Sequence, residues 1–109
     1  MYRGTIIENS LKDKAVLKKI RIDKTWHDDD WILHSVSLDK NQIAELSHAL
    51  DDGPWYIHVW QPGKDEITVI FKDKVFDIKF SDRSTWHEAV HYGESIGIPR
   101  EQLDFRIDQ

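Results

Sequence analysis

Residues 87–91 read His-Glu-Ala-Val-His. On a helix this spacing sets two imidazoles one turn apart, so that both can reach one zinc ion. The glutamate between them would take a proton from a metal-bound water. Under that reading His87 and His91 are ligands and Glu88 is the base of a zinc-dependent hydrolase. The same residues have a plainer account. Thr85-x-x-Glu88 is a capping box that can open any helix, and at ~100° per residue the histidines fall beside the apolar stripe, not within it. A catalytic zinc also needs a third protein ligand. The extended motif with a further Gly and His is absent, because residue 94 is Glu and residue 97 is Gly. Glu94 shares a face with His91, but three ligands along one straight helix converge poorly on a tetrahedral ion. Glu101, Asp104 or another His would have to supply the third.

A second constellation is aromatic. On a strand over residues 55–60, Tyr56, His58 and Trp60 share one face, opposite Trp55, Ile57 and Val59. On a strand over 31–38, His34 shares its face with Ile32, Val36 and Leu38. Large side chains on both sides imply that both sheet faces are at least partly covered. Loops or another subunit would shield the second face in the plain reading. The sharper reading is an interaction surface built from Tyr56, His58, Trp60 and His34, since Trp and Tyr bury area at little entropic cost. The acidic run Asp28-Asp29-Asp30 lacks the spaced ligands and central Gly of a calcium loop and reads as a solvated hairpin turn.

These residues need elements to position them. Residues 2–8 read as a strand, 9–13 as a turn or a single helical turn, and 15–26 as a long strand in which Val16, Ile20, Ile22 and Trp26 share one parity. After the acidic turn the pattern resumes over 31–38. Asp39 can cap a first helix, with Gln42 as the other half of a capping box and Ile43, Leu46, Ser47 and Leu50 on one face. Asp51-Asp52-Gly53-Pro54 stops that helix. Strands over 55–60, 66–72 and 75–80 follow. A second helix begins near Ser84-Thr85 and ends at Gly97, a left-handed C-cap position. Leu103-Asp104-Phe105 packs back on the core. The expected fold is α+β: a mainly antiparallel sheet of about six strands with two helices on one face, in the order βββα-βββα, as a single domain over residues 1–109.

Composition limits the rest. The 109 residues contain no Cys, which excludes a disulfide scaffold, a thiolate zinc site and a cysteine nucleophile. There is no signal-peptide pattern and no stretch near the ~20 apolar residues that span a bilayer, so a cytoplasmic protein without membrane contact is expected. A net charge of −5 argues against nucleic acid as a partner. Lys12, Lys14, Lys18, Lys19 and Arg21 form the one basic cluster, and a strand edge guarded by lysines accounts for it. There is no Gly-rich phosphate loop and no Gly-x-Ser-x-Gly elbow.

The opening RGTIIENSLKDKAVLKKI, the Trp55-Tyr56 pair and the run VIFKDKVFDIKFSDRSTWHEAVHYGESIGIPREQLDF resemble a family of small uncharacterised prokaryotic proteins. The resemblance spans nearly the whole chain and is strongest over residues 69–105. It implies a single domain and, because that family has no assigned activity, substrate or cofactor, it implies no functional residue. The family pattern at the second helix has no His pair, so HEAVH is a departure particular to this chain. The expected function is a non-enzymatic binding or protein-interaction domain, a homodimer or the receptor of a protein or small-molecule partner, without cofactor. The alternative is the zinc hydrolase of His87, Glu88 and His91.

Overall fold

The computed structural model describes residues 1–105. Six strands form one antiparallel sheet: β1 (Tyr2–Ile7), β2 (Arg21–Asp28), β3 (Trp31–Leu38), β4 (Ile57–Trp60), β5 (Glu66–Phe71) and β6 (Lys74–Lys79). Their order across the sheet is β2-β3-β1-β4-β5-β6. Helix α1 (Lys40–Ala49) follows β3, and α2 (His87–Ser95) follows β6. The α+β class and the βββα-βββα order therefore stand as expected. Short 3-10 turns lie at Glu8–Ser10, Lys14–Lys18, Arg83–Trp86 and Arg100–Gln102. No helix among the described residues is long and apolar enough to cross a membrane.

The expected strand over 15–26 is only half formed. Asp13 accepts from Ala15 N and opens the 3-10 turn, which tucks Val16 into the core. Strand β2 starts at Arg21 and carries a bulge at Asp23, since Ile22 pairs with Val36 while Lys24 pairs with Ser35. One extra residue in a strand reverses the side of everything after it. Ile22 and Trp26 thus lie on opposite faces, although they share a parity in the sequence.

The two helices also lie on opposite faces, not on one. Ile6, Val36, Leu38, Ile57, Val59 and Ile70 pack with Ile43, Leu46 and Leu50 of the α1 region. Trp60, Ile67, Val69, Phe71 and Ile78 pack with Trp86, Ala89, Ile98, Leu103 and Phe105 around α2. The cause is visible in β5, where Ile67, Thr68, Val69, Ile70 and Phe71 are all buried. A strand apolar on both sides needs cover on both, which helices on one face alone would not provide.

Helix α1 has the expected capping box: Asp39 accepts from Asn41 N and Gln42 N, and Gln42 Oε1 accepts from Asp39 N at 2.9 Å. The one drawn for α2 does not form. Asp82 opens the preceding 3-10 turn by accepting from Ser84 N, and Thr85 Oγ1 instead accepts from Lys79 N at 2.9 Å and donates to Asp82 O at 2.7 Å. The N-cap of α2 is Trp86, with no side-chain cap. At its other end Gly97 adopts φ 97°, and Ile98 N donates to Gly93 O, closing the helix as expected.

Candidate functional site

The HEAVH residues occupy the outer side of α2. Its first residue is His87, and His91 lies one turn on; both are exposed, as is Glu88. With Val90, Glu94 and Arg100 they line a shallow depression of about 510 Å³. Among the described residues no group of three or more His, Asp or Glu side chains is placed to hold a metal ion. The helix therefore presents two imidazoles at ligand spacing without a third described side chain converging on them.

The aromatic set divides between the two faces. Trp60 lies on the α2 face and is buried; Tyr56 and His58, of the same parity, are half-buried. Phe105 packs edge-on against Tyr56 at 5.6 Å between ring centroids and against His58 at 6.0 Å. Tyr56 also donates its hydroxyl to Gln102 O. Burial, reinforced by the Asp104 carboxylate, pushes the Tyr56 phenol up to about 12. These rings are the floor of the α2 core, with the tail laid over them. His34 is not among them. Its partner in β1 is Ile6, on the α1 face.

His34 is itself a fully engaged group. Its Nδ1 lies 2.8 Å from Thr25 Oγ1 and its Nε2 lies 3.0 Å from Glu8 Oε1. The imidazole is buried and the threonine exposed, so the hydroxyl-imidazole-carboxylate line ends at the surface of edge strand β2. The same line joins three segments: the 3-10 turn after β1, strand β2 and strand β3.

A further surface appears only once the register is known. On the α2 face, that helix covers β4, β5 and β6 but not the other half of the sheet. Across β1, β3 and β2, Ile7 pairs with Leu33 and Leu33 with Trp26, forming one row of half-buried apolar side chains that belongs to neither core. Toward one end the next rows are Thr5-Ser35-Lys24 and Arg3-Ser37-Arg21. Lys24 reaches over the Trp26 ring at 5.7 Å. The bulged Asp23 accepts from Ser37 Oγ at 2.6 Å and pairs with Arg21 Nε at 2.9 Å. The Ser37 hydroxyl, against some desolvation and helped by Arg21 and then Arg3, holds its carboxyl below the usual carboxylate range. Arg3, Arg21, Asp23, Ser35 and Ser37 line a depression of about 420 Å³ with Met1 and Pro62. Toward the other end lie Asp28 and the turn residues Asp29 and Asp30, while the Trp31 ring, 38% exposed, packs edge-on at 5.4 Å against Trp55, which itself packs on the α1 core. The bulge hid this face from sequence reasoning, since it takes Trp26 out of phase with Ile22.

No protein-family model, curated protein or solved structure matches the chain.

Proposed function

We propose that the chain is a non-enzymatic protein-interaction domain whose docking surface is the half of the α2 face that no described helix covers. The observation that carries this reading is the Ile7-Leu33-Trp26 row. Three apolar side chains aligned across adjacent strands, outside both cores and bordered by polar rows, match the apolar centre and polar rim of an interface. The reading differs from the surface expected from Tyr56, His58, Trp60 and His34: the first three rings pack beside Phe105 and the α2 core, and His34 lies on the α1 face. The zinc alternative rests on His87, Glu88 and His91 alone, and no described third ligand supports it.

The test compares wild-type chain with Leu33→Asp and with a control, Val75→Asp, which alters an apolar side chain that is 40% exposed on β6. After circular dichroism shows all three folded, each is tagged, expressed in its source cells and purified with whatever it binds. Association lost with Leu33→Asp and kept with Val75→Asp is the expected result. Identical recovered complexes and identical masses for all three would remove the docking face.

A further inference from the structure

Resting on that docking reading, we infer that the occupant of the open face is a second copy of this chain, related by a two-fold axis running along the Ile7-Leu33-Trp26 row. The argument is self-complementarity. A two-fold interface must present one surface that fits itself. Along β2 this face changes from basic to apolar to acidic: Arg21 and Lys24, then Trp26, then Asp28 and the Asp29-Asp30 turn. Stacking two such faces about an axis parallel to the strands would put like charges together. An axis across the strands reverses their direction. Trp26, Leu33 and Ile7 then meet their own copies, Lys24 meets the partner copy's Asp28, and Arg21 meets the acidic turn beyond it. Arg3 adds charge to the basic end, and Asp23 leaves that end positive overall.

Size sets the strength. Three strands ~4.8 Å apart and seven residues at ~3.4 Å each give a face of roughly 15 by 24 Å. That is small for a specific interface, so association depends on concentration in the micromolar range or above. The net charge of −5 opposes it at long range. Salt at physiological strength screens that repulsion beyond about 8 Å, while pairs in contact are screened much less.

The experiment is sedimentation equilibrium over a wide concentration range. Its variants are Arg21→Glu/Lys24→Glu, Asp28→Lys/Asp30→Lys, and the four changes combined. All four positions are exposed, and Asp29 is spared because its φ of 53° disfavours most side chains. The wild type is expected to dimerise, and each double reversal to weaken the dimer on the order of 30-fold or more, since every change acts twice across the axis. The combined variant regains the dimer, and so does an equimolar mixture of the two double variants. A wild type that stays monomeric near millimolar overturns the inference, as does a dimer indifferent to the reversals or one not rescued by mixing. A monomer that still loses another bound protein through Leu33→Asp overturns only the second copy. Loss of both results overturns the docking face itself.

Discussion

Gly4 of β1 lies so close to Val59 of β4 that a Cβ at position 4 would stand 2.8 Å from Val59 Cγ1 and 2.9 Å from the His58 carbonyl oxygen. This pair sits where the two βββα halves join, since β1 and β4 are neighbours at the centre of the sheet. A methyl group there meets backbone as well as a branched side chain, so relief requires the strands to part.

Gly4→Ala is therefore expected to destabilise the fold by about 1–3 kcal/mol, the usual range for overpacking. Denaturant unfolding measures it. Gly63→Ala provides the contrast: its φ is 83° and nothing lies within 4 Å, so only backbone strain of about 1 kcal/mol is at stake. Equal losses at the two positions would refute the close approach.

Tyr56 should ionise late. Its folded-state phenol lies at about 12, above the ordinary tyrosine value near 10. The protonated form is thus favoured by folding. The resulting stability is fully present below pH 10 and is lost as pH rises toward 12. Ultraviolet titration of wild type minus Tyr56→Phe should show a phenolate signal appearing well above pH 10. A difference signal centred at the ordinary value would contradict the buried environment.

The Thr25-His34-Glu8 line should behave as a structural tie. His34→Ala is expected to cost about 2–3 kcal/mol, because it leaves a void and deprives the Glu8 carboxylate and Thr25 hydroxyl of a shared partner. Thr25→Val should cost about 1–3 kcal/mol, since it leaves the buried Nδ1 of His34 without the hydroxyl it meets. A double-mutant cycle between Glu8 and His34 checks the pairing, and a coupling near zero would dissolve it.

The paired histidines of α2 make a separate demand. Dialysed protein is expected to carry no stoichiometric zinc, and His91→Ala to change stability by no more than about 0.5 kcal/mol, as exposed substitutions do. Metal analysis and a melting curve decide it. One zinc per chain that disappears in His91→Ala would bring the hydrolase reading back.

Much of this architecture is legible in the sequence, for local reasons. Asp39 and Gln42 announce α1 because a capping box is encoded within four residues, and Gly97 marks the end of α2 because few other residues accept its φ. Alternating apolar residues show where most strands run. What stays hidden depends on contacts distant along the chain. The 3-10 turn over Lys14–Lys18 keeps an alternation that reads as strand, and the bulge at Asp23 is visible only against β3. The sides taken by the helices follow from β5 being buried on both faces, and His34 and Tyr56 are separated by that same arrangement. Thr85-x-x-Glu88 has the right letters, but its hydroxyl is already engaged by Lys79.

The two cores divide the chain almost cleanly in time as well as in space. The α1 core is drawn from residues 6–59 plus Ile70, and the α2 core from residues 60–105. During synthesis the first half leaves the ribosome holding nearly all of its own apolar interior before β5 exists. Until then strand β4 is the open edge of the sheet, and Ser47 lacks the Phe71 carbonyl to which it later donates at 2.6 Å. A nascent chain released only as far as residue 60 would thus be a half-built but locally consistent object, with the unpaired edge of β4 as the place most in need of protection.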